Sequence, residues 1–350
     1  MQTTGCRLAA FEIGVIAILF GGSACSSAVP ASGQPPRAAV EDVIEWRRSV
    51  ALEETADVIN VSPHVNIDPR GGYIVADRRE AQVRLYSASG SLDAQFGRRG
   101  QGPGEFERVV AAVRLASNEI LAADMSGRVT FFDSAGANAL RTQRLPLSPL
   151  YDLAVYDDSL VLLTGRIAGQ EGSALVHVWN SRSGEVLRSF FQPRPSSPDL
   201  ASAYTFTGFA DVAVRRGTIV VSFAVSDTLR FYDIQGRELR QSAIPFRGFR
   251  PLRKAMPESG QREAIARWGE EFSSISQIQW SADGTLFVQY FDMDGYEPRW
   301  RLAALQEPAN MLFELVDSPR LLAITADNSL VFADPSRDGL DTWLIGRLRS

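Results

Sequence analysis

Lysine is almost missing from this 350-residue chain: Lys254 is the only one, so nearly all the positive charge is arginine. Histidine is reduced to His64 and His177, which excludes a zinc ion held by three imidazoles. The two cysteines, Cys6 and Cys25, supply no disulfide framework. Acidic residues outnumber basic ones, 41 to 36, and the net charge of −5 leaves no basic footprint for nucleic acid. There is no Gly-x-Ser-x-Gly elbow, no phosphate loop and no Cys/His set at metal-ligand spacing. The apolar run Ile13 to Phe20 falls far short of the roughly 20 residues a membrane-spanning helix needs.

What is present begins with an address. Arg7 gives a positive n-region, Ile13 to Phe20 an apolar h-region, and Gly21 to Ala24 a run of small residues before Cys25. The pattern resembles a bacterial lipobox, with Gly22 where an aliphatic residue is usual. Residues 1–24 are therefore expected to be a signal peptide and Cys25 the lipidated residue. Residues 25–40, with Pro30, Pro35 and Pro36 among Ser, Ala and Gly, read as a flexible tether. The expected product is an exported cell-envelope lipoprotein, in the outer membrane or facing the periplasm. It would touch the membrane through its lipid alone.

Residues 41–350 carry a repeat. A polar turn followed by a short β-rich run, often ending in Ala-Asp, occurs as PRGGYIVAD (69–77), SNEILAAD (117–124), DDSLVLLTG (157–165), RRGTIVVS (215–222), ADGTLFVQ (282–289) and ADNSLVFAD (326–334). Their centres lie about 51 residues apart on average, a period that marks propeller blades. A second phrase follows: an aromatic, a small polar residue, then glycine. Examples are Tyr86-Ser87 with Gly90, Phe132-Asp133 with Gly136, Trp179-Asn180 with Gly184, and Tyr232-Asp233 with Gly236. With an apolar run before each first phrase, every repeat holds four strands, which is one blade. The prediction is an all-β, six-bladed propeller of four-stranded antiparallel blades. Its last repeat runs out of chain after one further strand at 342–349, so a strand at Trp46–Glu54 is expected to complete the ring and remove the open edges.

Two long steps between repeats mark insertions. Residues 192–205 read as a Pro- and Ser-rich surface loop. Residues 245–273, between blades four and five, break the β pattern. Within them Glu258 to Phe272 has helical spacing, with Ala264, Ile265, Trp268 and Phe272 on one face.

After the first repeat comes Gly100-Gln101-Gly102-Pro103-Gly104-Glu105-Phe106, preceded by IVADRREAQVRLYSASG (74–90). These residues resemble the NHL-repeat type of six-bladed propeller, and bacterial lipoproteins of unknown function within it. The resemblance implies the fold but no shared activity. Asp77, Asp124 and Asp334 recur at equivalent positions, so their expected role is to bond turn amides.

Candidate ligand-binding residues are the arginine groups Arg78-Arg79, Arg98-Arg99, and Arg247, Arg250 and Arg253. Guanidinium groups clamp carboxylate or phosphate with paired N–H donors. Asp292, Asp294 and Glu297 in FDMDGYE resemble part of a calcium loop, although Asp294-Gly295 is also a hairpin signal. Calcium is the one cofactor these residues suggest. His64, after Pro63, is expected near the channel, and His177 on the outer surface of a blade. The favoured function is a non-enzymatic binding module for a protein or a small anionic ligand at one propeller face. The alternative is a metal-dependent lactonase- or lyase-like propeller hydrolase. For it, Asn66, Asp68, Glu105, Asp152 and Asp211 near the inner strands are conceivable metal ligands. No catalytic residue is singled out.

Overall fold

In the computed structural model, residues 37–54, 63–170, 172–257, 262–306, 310–336 and 341–349 are described. The expected signal peptide, Cys25 and most of the expected tether lie outside them.

Each repeat folds as a four-stranded antiparallel blade, and six blades form a ring. Blades 1 to 4 are continuous in sequence, with innermost strands Pro63–Ile67, Val109–Arg114, Leu147–Val155 and Ala210–Arg215. Blade 5 starts at Ser273–Trp280 and blade 6 at Leu321–Ile324. Adjacent innermost strands pack side by side around a central channel, and blade 6 returns to blade 1.

The six β-rich phrases are the second strands of their blades. They read as apolar runs rather than alternating ones because blades stack face to face and bury both sides. Tyr73–Asp77 and Ile120–Asp124 are buried at every position. Small residues such as Ala76, Ala122 and Ala123 let the neighbouring sheets approach. The outermost strands face solvent, as in Ala139–Arg144, where nearly every residue is exposed.

Blade 6 is completed from the other end of the chain. Ile44–Ala51 pairs antiparallel with Thr342–Leu348, joining Ile44 to Leu348 and Ala51 to Thr342. This is the expected closure, with the strand starting two residues before Trp46 and ending at Ala51. Ahead of it Val40–Val43 (α1) forms one helical turn, and Arg37–Ala38 pairs in parallel with Glu314–Leu315 of blade 5.

Turn chemistry matches the repeat. Asp77 accepts the amides of Arg79 and Glu80 at 3.0 and 3.1 Å, Asp124 those of Ser126 and Glu107 at 2.8 and 2.6 Å, and Asp334 that of Ser336 at 2.9 Å. Gly136 has φ +77°, and a Cβ there would meet the Phe96 ring of blade 1 at 2.2 Å. That glycine is fixed both by its backbone and by the close approach of the preceding blade.

Helix Arg262–Gly269 (α3) occupies the insertion between blades 4 and 5, with Trp268 buried and its Nε1 donating to the Lys254 carbonyl at 3.1 Å. The stretch 192–205, expected as a plain loop, runs instead into a 3₁₀ turn at Pro198–Leu200 and helix Ala201–Thr207 (α2). No side chain caps the N-terminus of α2. Its C-terminal carbonyls are satisfied from another blade, where Arg166 donates to Tyr204, Thr205 and Gly208 at 3.1, 3.3 and 3.3 Å. His177 is fully buried within blade 3, not on its outer surface. It lies 2.7 Å from Ser189 Oγ and 3.2 Å from the Gly165 carbonyl, and burial pushes its imidazole below the usual range.

Candidate functional site: the central channel and its mouth

Innermost strands of neighbouring blades share few backbone bonds, so polar side chains stitch them together. Asn66 of blade 1 donates to the Ala112 carbonyl of blade 2 at 3.0 Å. Asp211 of blade 4 accepts the Ile278 amide of blade 5 at 2.6 Å, and its own carboxyl is hydrogen-bonded to Asp152 of blade 3. Gln277 and Gln279 of blade 5 donate to the Leu321 and Leu322 carbonyls of blade 6 at 3.3 and 3.4 Å. These bonds fix the walls of a cavity of about 1520 Å³.

One cluster crosses the channel. His64 Nε2 of blade 1 lies 3.3 Å from Asp152 Oδ1 of blade 3, which also accepts the Leu153 amide at 2.7 Å. The two carboxyls are driven apart electrostatically. Burial and the charge of Asp152 push Asp211 well above the carboxylate range, against two amide bonds that favour the anion. Burial also acts on Asp152, but His64 and its hydrogen bonds bring that group below its ordinary value. As pH rises, the pair therefore gives up its proton at Asp152 first and keeps the one on Asp211 to higher pH than an ordinary aspartate would.

Where the innermost strands begin, two arginines enter the cavity. Arg78 follows the second strand of blade 1, and Arg320 immediately precedes the innermost strand of blade 6. Among the described residues neither closes an ion pair. Arg320 comes within 3.5 Å of the Pro63 carbonyl, while Arg78 Nε is buried with no partner. Burial, then the charge of Arg78, pushes Arg320 down to about 10. Burial lowers Arg78 too, against the opposing pull of Asp152.

The contrast with the far end of the channel is instructive. There Arg114 grips Asp68 at 2.7 to 3.0 Å and donates to the Asn118 and Ser134 carbonyls at 3.0 and 2.9 Å. Arg114 is spent on structure. Arg78 and Arg320 have no such carboxylate partner among the described residues.

Facing the arginines, blades 3 to 5 supply an aromatic wall. Tyr151 packs edge-on against Phe209 at 4.6 Å, and Phe206 against Trp268 at 6.0 Å. Helices α2 and α3 carry Phe206 and Trp268, so both insertions build this wall.

The other sequence candidates are placed elsewhere. Arg98 pairs with Glu105 at 2.7 Å, and Arg99 donates to the Arg79 and Glu107 carbonyls at 2.6 and 3.3 Å. Arg250 pairs with Asp292 at 3.2 Å, the Arg247 amide donates to Glu314 at 3.2 Å, and Arg253 is exposed. Asp292 also meets Arg301 at 2.9 Å, Asp294 pairs with Arg299, and Glu297 faces Asp294 across their hairpin. Among the described residues, no three His, Cys, Asp or Glu side chains gather as a metal-holding group.

Neither a protein-family model nor a curated protein matches the sequence. Solved structures do. A member of the DUF4221 family from Bacteroides vulgatus superposes with a TM-score of 0.65 at 12 % identity, over 88 % of this chain and 98 % of its own. A candidate exported protein from Bacteroides fragilis gives 0.63 at 13 %, over 91 % and 98 %. The WD40 repeats of RRP9 give 0.54 at 12 %, over 87 % and 100 %. The likeness is one of fold. At such identities it carries over no residue of the channel.

Sequence reasoning named Arg78 but missed Arg320. A positional signal exists in blades 4, 5 and 6: the residue just before the innermost strand, Phe209, Phe272 or Arg320, lines the cavity at its mouth.

Proposed function

We propose that this protein is a binding module of the cell envelope, exported and anchored through a lipid on Cys25, whose channel mouth takes an anionic small molecule with an apolar body. The reading keeps the NHL-type propeller as its scaffold and assigns the ligand to Arg78 and Arg320. The observation that carries it is the pair itself: two half-buried guanidiniums lining one cavity, neither closing an ion pair among the described residues, with burial and then Arg78 lowering Arg320, and Asp152 acting on Arg78 through its charge alone. Cations drawn partly out of water without a direct ion-pair partner cost free energy that an incoming anion recovers, and two planar forks suit a carboxylate or phosphate. The aromatic wall opposite gives the rest of the ligand an apolar surface.

The test is calorimetric titration with 3-phenylpropanoate of wild type, Arg78→Ala and Arg320→Ala, each checked for native circular dichroism. Binding to wild type that weakens at least tenfold in each variant supports the reading. Absence of binding, or equal binding by all three, overturns it.

A second reading draws on Asp152 and Asp211. A carboxyl that keeps its proton to higher pH beside one that loses it early pairs a proton donor with an acceptor, as general acid–base chemistry requires. Chemical conversion of a bound ligand, lost in Asp152→Asn, would move the protein to the hydrolase or lyase class.

A further inference from the structure

The arginine pair explains one side of the cavity but not its size or the state of its rim. About 1520 Å³ exceeds the ~300–1,000 Å³ typical of small-molecule sites. The aromatic wall also continues out of the channel. Phe206 is 53 % exposed, Phe209 47 % and Tyr296 58 %, and all three line the same cavity as Arg78 and Arg320. Aromatic side chains left this open at a channel mouth mark a surface that awaits an apolar partner. Met125 and Met293 add unbranched, adaptable side chains to the lining, which suit a ligand without fixed shape.

The two functions of the lining are separated. The arginines of the proposed anion site, Arg78 and Arg320, come from blades 1 and 6, whereas the aromatics come from blades 3 to 5 and the two helical insertions, where Arg262 of α3 lies over the Tyr296 ring at 5.2 Å. A compact anion would cover the arginines and leave most of the wall bare. A molecule with a charged head and a long apolar tail would cover both, its head inside and its tail along the wall to the rim.

We infer that the ligand is an anionic amphiphile of the fatty-acid class, its headgroup held by Arg78 and Arg320 and its chain lying against Phe209 and Phe206. The inference rests on the anion-binding reading above and adds the chemistry of the tail.

The experiment is a chain-length series on the purified full-length protein: butyrate, hexanoate, octanoate and decanoate, each below its micelle concentration. Affinity is expected to rise roughly two- to fourfold per methylene buried. Phe206→Ser/Phe209→Ser should flatten that slope, and Leu187→Ser, exposed on the outer edge of blade 3, should leave it unchanged. Decyltrimethylammonium, with an equal tail and a cationic head, should bind at least tenfold more weakly than decanoate. If carboxylates bind through the arginines with no dependence on length, this inference falls and the anion site stands. If no carboxylate of any length binds, both fall. If decyltrimethylammonium binds as well as decanoate, the assigned headgroup site is wrong.

Discussion

Ring closure is the feature on which every other distance in the channel depends, and one methyl-rich side chain tests it. Ile44 lies in the chain-terminal strand that completes blade 6, is fully buried, and packs in one cluster with Phe287, Leu330 and Phe332. Replacing it with alanine removes three carbons from a site walled by two blades, so the cost is about 2–5 kcal/mol. A domain stabilised by about 5–15 kcal/mol would lose a large share of its margin. Leu140, on the outermost strand of blade 2, is the control: it is 52 % exposed, so Leu140→Ala should change stability by less than about 0.5 kcal/mol. Urea titration followed by tryptophan fluorescence reads both. Removing 44–51 entirely would expose the paired edge of Thr342–Leu348, and light scattering should then show self-association. The reasoning is refuted if Ile44→Ala and Leu140→Ala unfold at the same urea concentration.

Three further outcomes follow from the geometry. Asp211 holds its proton in the folded protein above the pH at which an unfolded aspartate loses it, near 3.9. Wild type should therefore lose stability relative to Asp211→Asn as pH rises from about 4 toward neutrality, and urea midpoints that stay parallel across that range would contradict the proton held on Asp211. Asp68→Ala strands Arg114 at the far end of the channel and should cost about 3–5 kcal/mol, measured by thermal unfolding, because the buried guanidinium loses its counter-charge. Gly136→Ala forces a Cβ against Phe96 at a left-handed backbone position. It should destabilise by more than the ~1 kcal/mol of an ordinary strand substitution.

The fold was legible because its signal is local and repeated. Second strands buried on both faces give unbroken apolar runs, and each Ala-Asp or aromatic-polar-Gly phrase sits where a turn must be capped. Closure followed from arithmetic, since the last repeat lacked a strand and Trp46–Glu54 was left over. Helix α2 escaped because its sequence, rich in Thr, Ser and aromatics, has little helical preference, and Arg166 of another blade satisfies its end. The site escaped for a different reason. His64, Asp152 and Asp211 meet only because the ring brings blades 1, 3 and 4 around one axis. Arg78 could be suspected from its place after the Ala-Asp phrase. Arg320, a lone arginine after Pro319, gave no sign until its position before an innermost strand was known.

The central claim is that Arg78 and Arg320 form the anion-binding end of an amphipathic channel. A crystal structure grown with 3-phenylpropanoate tests it most directly. The account predicts the carboxylate within hydrogen-bond distance of both guanidiniums and the ring against Tyr151 and Phe209. A carboxylate found instead at Arg250 and Arg253, or on the outer edge of a blade, would contradict it.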